Sequence, residues 1–410
     1  MGDSVRRNGA AASRRGPHAA PPESVPHRSI LVHVASLAAL VGCAGTPRPS
    51  TAASAAAPVP AVAAPADSVA AHPSATPPWF YKRRNFGSEA FFDPLSEILN
   101  EGYDFLQIHG RDRHFLDFPY GAGFRVIGRS IAHPDRAMRK YGWDYIVREE
   151  LLPLSGPEGS GAWIPNYQLH LLGGGMAYAR MEEWYAAHGA RHPKLPAIVT
   201  MGTAHLLNEL IEDAGARVYA AGPLIDLFVF DAAGIALFQS ERVRRFAATT
   251  LGMTNWPGIP SIQRGELTIE NASQNYVIQW RPPHGGHWRV FGYMGIGNML
   301  GVTHRWESGD GLSIAGGLQG GEVIPLSERS DRRTVSLYGQ AGAFWDHDGS
   351  LLASLVASGS RFRGIEVNVY PEALRIAGTP LALWAHLPRE GKPMLGLAVP
   401  IVPGLATTVR

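Results

Sequence analysis

One cysteine and four lysines in a chain of 410 residues leave several kinds of chemistry out from the start. The thiol is Cys43, and the lysines are Lys82, Lys140, Lys194 and Lys392. A single thiol cannot close a disulfide within the chain, and one that sits ahead of the folded region cannot act there as a nucleophile. Positive charge is almost all arginine, and a formal net charge of +2 builds no field that argues for nucleic acid as a partner. No G-x-S-x-G elbow, Walker loop or dinucleotide fingerprint stands at a strand-to-helix junction. The glycines of "GYMGIGNMLG" lie in strand territory and read as sheet glycines.

What is present begins with "SILVHVASLAALVGC", an apolar run of roughly a dozen residues after basic Arg28, too short for the ~20 residues of a spanning helix. Its length and flanks are those of a signal peptide. Leu40-Val41-Gly42-Cys43 resembles the lipobox of bacterial lipoproteins, which implies cleavage before Cys43 and diacylation of its thiol. Ala44 follows where an inner-membrane retention aspartate would stand, so the resemblance implies the outer membrane, with membrane lipid as a partner through N-terminal acylation. Residues 1–43 are thus expected to be a signal peptide with lipobox, although the segment before the run is long and Val25 stands where a compact signal would begin. Residues 44–78 are almost wholly Ala, Pro, Ser, Val and Thr, a composition that cannot bury enough apolar surface to fold. They read as a disordered tether.

The folded part divides by periodicity into a helical region, 79–255, and an antiparallel β region, 256–410, so the expected fold class is α+β. "DPLSEILNEGYDFLQI" places a proline after an Asp cap, "YGWDYIVREELLPL" has helical spacing, and three further helices are expected near 167–188, 195–213 and 223–246. After Trp256 the period becomes two. "YVIQW", "TVSLYGQAGAF", "SLLASLVAS" and "GIEVNVY" alternate, with Ser350, Leu352, Ser354, Val356 and Ser358 on one face and Leu351, Ala353, Leu355 and Ala357 on the other. Roughly eight to ten short strands follow from the turn spacing, forming a meander, small barrel or sandwich. A membrane barrel and a soluble meander share this alternation, and the pattern is read as a body packed against the envelope rather than fully inserted in it.

In "PNYQLHLLGGGMAYAR", residues 165–180, Tyr167 and His170 precede Gly173, Gly174 and Gly175, and Arg180 closes the stretch. Three glycines in a helix cost about 1 kcal/mol each relative to alanine, so close backbone approach or a ligand over the bare face must compensate. On the next helix His205, Asn208, Glu209 and Glu212 share a face, and the third carries Asp226 and Asp231, for which Arg180 is the expected partner. The matching residues Asn166, Tyr167, His170, Gly174, Tyr178, Arg180, Asn208-Glu209, Glu212, Asp226-Leu227 and Gly234 resemble a family of bacterial envelope proteins known only as a domain of unknown function. Leu171 replaces that family's usual proline, and the family offers no established chemistry to carry over. A fainter likeness is to VanZ-like membrane proteins, which order a histidine helix, an acidic or amide helix and an Asp-led helix.

Two functions stay open at this point. The first is a lipid-anchored outer-envelope protein that binds lipid or supports envelope structure, with Tyr167, Gly174 and Arg180 as candidate ligand-binding residues and a lipid or envelope component as ligand. The second is a membrane-associated hydrolase or transferase acting on a lipid or cell-wall precursor. It would use His170, His205, Glu209 and Asp226 as catalytic candidates, with Arg180 on an anionic head group. His205 and Glu209 lie four apart, but HExxH is absent and spacing specifies no third ligand, so no metal and no cofactor is expected. His109, His114, His284 and His287 read as loop or hairpin histidines.

Overall fold

The computed structural model describes residues 78–108, 114–152, 163–216, 218–325, 333–376 and 379–409; the signal peptide, Cys43, His109 and the tether before residue 78 lie outside the described residues. Helix α1, Pro94–Gly102, starts where the sequence places it: the Asp93 carboxylate accepts the backbone N–H of Leu95 at 2.8 Å and of Ser96 at 3.0 Å, and Pro94 fixes the first turn. Helix α2 spans Tyr120–Ala132. Trp163–Gly174 winds as a π-helix and runs directly into α3, Gly175–Ala187, so the glycines sit at the junction of two windings. Helix α4 is Lys194–Glu212. The third expected helix is interrupted: a π stretch, Asp226–Phe230, leads into α5, Asp231–Phe238, and the chain then bends by 82° into Glu241–Thr250. Ala177, Tyr178 and Met181 of α3 pack with Ala197 and Met201 of α4.

The strands are β1 (Thr254–Asn255), β2 (Ser261–Gln263), β3 (Thr268–Glu270), β4 (Tyr276–Trp280), β5 (Trp288–Met294), β6 (Gly297–Arg305), β7 (Asp310–Pro325) and β8 (Arg333–His347). They continue with β9 (Ser350–Ser358), β10 (Ile365–Val369), β11 (Arg375–Ile376), β12 (Thr379–Pro380), β13 (Ala382–Leu387), β14 (Met394–Val399) and β15 (Ile401–Thr408). β11 and β12 form a hairpin of their own; the other thirteen make one sheet in the order β1-β4-β5-β6-β7-β8-β9-β10-β13-β14-β15-β2-β3. It is antiparallel except where β15 meets β2, and it is a single sheet, so the expected sandwich does not form.

The sheet is not a closed barrel either, because its two ends join through one chain segment rather than by strand-to-strand pairing. Residues 251–258 run along β4: Leu251 O accepts from Gln279, Thr254 faces Val277, and Trp256 and Gly258 donate to Asn275 and Ser273. The same chain then reaches β15, where Pro260 O accepts from Gly404 and Ser261–Gln263 pair with Gly404–Ala406. Six residue steps from Asn255 to Ser261 cover at most ~20 Å, so β4 and β15 curl toward each other. The core inside that curl takes Phe291, Met299, Phe344, Trp384, Met394 and Ala406 from successive strands, with Phe91 and Trp256.

Polarity is distributed in an unusual way. The inner side carries Thr303 and Ser313, bonded at 2.7 Å, and Arg305, whose Nη1 lies 2.7 Å from Oδ2 of the fully buried Asp346. The outer side of the same strands carries Leu300, Val302, Leu312, Ile314, Leu318, Leu337, Leu395, Leu397 and Leu405, all exposed. Trp280, Trp288, Trp306 and Trp345 are exposed at one end of β4 to β8. The alternation read on β9 is corrected by a bulge: Leu351 pairs with inward Asp346 and Ala353 with outward Trp345, so Leu351 joins the interior.

Candidate functional site: a buried histidine and carboxylate cluster

The glycines decide the geometry. A Cβ on Gly174 would lie 2.8 Å from Cε1 of His205, one on Gly175 2.8 Å from the carbonyl oxygen of Gly234, and one on Gly234 2.7 Å from that of Leu171. The start of α3, the His205 ring of α4 and the backbone of α5 therefore meet at distances only glycine allows, which is the compensation that three helical glycines require. Gly174 also borders an open groove of about 210 Å³, lined with Ile198, Gly202, His205, Leu227 and Ala232.

At this crossing the four catalytic candidates converge in the interior. His170, His205, Glu209 and Asp226 are all buried, at 8%, 6%, 2% and 8% exposure. Asp231 holds both rings: its Oδ1 lies 2.8 Å from His170 Nδ1 and its Oδ2 2.6 Å from His205 Nδ1. The other nitrogen of His205 lies 3.1 Å from Oε2 of Glu101, so a polar chain runs from Glu101 through His205 and Asp231 to His170. His170 Nε2 looks onward to Glu209 Oε1 at 4.0 Å. Asp226 completes this side, with one ligating atom each of His170, Glu209 and Asp226 within 4.8 Å of one another.

The electrostatics follow from burial and pairing. Burial opposes charge on His205, but Asp231 and Glu101 outweigh it and hold its pKa well above the ordinary value. Burial likewise opposes charge on His170, and Asp231 and Asp226 raise its pKa despite that. For Asp231 the same burial is overcome by the two imidazoles, which keep its carboxyl below the usual range. Burial pushes Asp226 up to about 8, His170 offsetting only part of it, and burial with Asp226 as neighbour pushes Glu209 well up too. Asp104, beside Glu101, is raised by burial to about 7 while its Oδ1 accepts from Asn208 at 2.6 Å.

Other candidates lie elsewhere. Arg180 is fully buried but pairs with Glu89 at 3.3 Å and lies 3.7 Å from the centre of the Phe92 ring, so it is not the partner of Asp226 or Asp231. Its guanidinium is seated instead on the segment just before α1. Tyr167 donates to Leu151 O and meets the Phe230 ring edge-on at 4.9 Å, away from the histidines. Asn208 faces Glu101 and Asp104, Glu212 is exposed, and His114 Nδ1 donates to Glu266 O at 2.6 Å. Glu101 is the site residue that spacing did not single out; its one signal is that Glu97, Asn100 and Glu101 share a face of α1 that turns out to be buried. Comparison with known proteins finds no match: no family model, curated protein or solved structure is similar to this chain.

Proposed function

We propose that this is a lipid-anchored outer-envelope protein whose strand region sits in membrane hydrocarbon, with Cys43 supplying the acyl anchor. The observation that carries the reading is the inverted polarity of the sheet: aliphatic side chains outside, hydrogen-bonded polar groups inside. A soluble sheet of this size would hide the face that carries Leu300, Ile314 and Leu405, which are 70%, 60% and 59% exposed. Val335 to Trp345 is ten residue steps, about 34 Å along the strand and about 25 Å across a bilayer when tilted ~45°. The tryptophans at the ends of β4 to β8 match the amphipathic girdle found where a barrel wall meets head groups. The bonds from residues 251–264 to β4 and β15 leave neither of those strands with an open edge toward lipid. In the helical part no single described helix is long and apolar enough to cross a membrane, but Leu195, Val199 and Phe228 beside the groove are 65%, 59% and 59% exposed and extend the apolar surface.

The test removes the anchor. The chain with residues 1–43 exchanged for a cleavable signal peptide without a lipobox, exported and washed with alkaline carbonate, is expected to stay in the membrane fraction; release into the supernatant would leave acylation as the only attachment and refute immersion of the sheet.

A second reading, a hydrolase or transferase on a lipid or cell-wall precursor, is favoured by one observation: His170, His205, Glu209 and Asp226 meet beside a groove with an apolar wall. Its test is His170→Gln. Normal abundance and localisation with loss of an envelope phenotype supports chemistry at the histidine, whereas loss of the protein itself supports a packing role.

A further inference from the structure

On the side of His170 away from Asp231, an imidazole nitrogen and two carboxyl groups face one another. Glu209 Oε1 and Asp226 Oδ1 are buried and have no hydrogen-bond partner among the described residues, and His170 Nε2 stands 4.0 Å from the glutamate oxygen. A buried carboxyl oxygen left without a partner is costly whether or not the group is charged. No arginine or lysine among the described residues forms an ion pair with either. Arg180, the partner expected from the sequence, is engaged with Glu89.

We infer that His170, Glu209 and Asp226 form a binding site for a first-row divalent cation, with Zn²⁺ as the probe of choice. One imidazole nitrogen and two carboxylate oxygens are a donor set that suits Zn²⁺ or Mn²⁺ better than Mg²⁺. Ligands about 2.1 Å from a tetrahedral ion lie about 3.4 Å apart, so ligation draws His170 and Glu209 together by about 0.6 Å from 4.0 Å, and the other pairs, which lie within 4.8 Å, by at most about 1.4 Å. The support around the site is already that of a metal ligand: Asp231 holds Nδ1 of His170 at 2.8 Å, which turns Nε2 toward the two carboxylates, and Asp231 is itself held by His205. The alternative trio of His170, His205 and Asp231 is a poorer site, because both Nδ1 atoms already bond to Asp231. Glu212 and Glu150 add negative charge around Asp226, which raises the local concentration of cations. An ion at this position takes the place of the protons that these atoms hold without it. The site stands whether or not the sheet enters the membrane.

The full chain, purified in detergent and stripped with a chelator, is dialysed against Zn²⁺, Mn²⁺ or Mg²⁺ and its metal content measured. One equivalent of Zn²⁺ per chain is expected, with Mg²⁺ at least about tenfold weaker. Glu209→Gln and Asp226→Asn each weaken Zn²⁺ at least about tenfold, and Asp231→Asn, acting through the His170 ring, about 10- to 100-fold. Absence of bound Zn²⁺, or Zn²⁺ retained undiminished when Glu209→Gln and Asp226→Asn are combined, overturns the inference. So does loss of the ion on His284→Ala with His287→Ala, which would locate it in the hairpin before β5. If the cluster variants do not fold, X-ray absorption at the zinc edge of the unsubstituted protein decides: one imidazole with carboxylate oxygens supports the site, and two or more imidazoles, or oxygen alone, contradict it.

Discussion

Gly234→Ala places a methyl group 2.7 Å from the carbonyl oxygen of Leu171 and 3.0 Å from that of His170, both backbone atoms that cannot swing aside. The expected cost is about 1–3 kcal/mol of stability, read as a lower unfolding midpoint. Gly128→Ala in α2 meets nothing within 4 Å, and removing a glycine from a helix interior there should stabilise by about 0.5–1 kcal/mol. Asp104 supplies a pH test. Its folded pKa of about 7 lies above the ordinary carboxylate value, so the folded chain binds more protons than the unfolded one between about pH 4 and 7, and stability from this group falls as pH rises through that window. Asp104→Asn keeps an oxygen for Asn208 and removes the loss, so it should raise the unfolding midpoint at pH 8 and leave it nearly unchanged at pH 4. At this scale the sequence was informative where glycine or helical spacing acted alone: the glycines predicted close approach, and His205 and Glu209 were placed on one face. Glu101 and the true partner of Arg180 were not legible, because which buried acid meets which base depends on helix crossings that no local pattern encodes.

Strand elements were the most readable part. Period-two alternation located β4, β8, β9 and β10, and Asp348-Gly349, both with positive φ, made the turn between β8 and β9 evident from Asp-Gly alone. The bulge at the β8–β9 pairing was hidden, since an extra residue leaves no compositional mark, and it moved Leu351 to the opposite face. The break near Gln239 falls on the polar residues Gln239-Ser240-Glu241 just after an apolar run, with no glycine or proline to mark it. The element-scale prediction concerns the outer face. Leu300 and Ile314 lie on the outer face of neighbouring strands, and Leu300→Arg combined with Ile314→Arg should cost about 2–4 kcal/mol per site if that face meets hydrocarbon. Loss of membrane assembly, with the protein recovered in aggregates, is the expected readout. Leu300→Ala combined with Ile314→Ala should assemble normally, whereas normal assembly of the arginine pair would mean the face is in water.

At the scale of the whole molecule, the described residues from 78 onward form one compact unit in which helices precede strands, an α+β fold. Sequence could not choose among meander, barrel and sandwich, because the choice depends on a non-local event: residues 251–264 bond to β4 at one end and to β15 at the other, more than 100 residues apart in the chain. That segment lets a single sheet curl around Phe344 and Trp384 while its aliphatic face looks outward. The most direct test of the central claim is a spin-label scan along β7. In a Cys43→Ala background, each residue from 312 to 318 is replaced in turn by cysteine, labelled, reconstituted in lipid vesicles and probed with oxygen and with a water-soluble nickel chelate. Immersion of the outer face predicts a period of two, with Leu312→Cys, Ile314→Cys and Leu318→Cys open to oxygen and closed to the chelate, and Ser313→Cys and Ala315→Cys closed to oxygen. Ready chelate access at 312, 314 and 318 would place the outer face in water and contradict it.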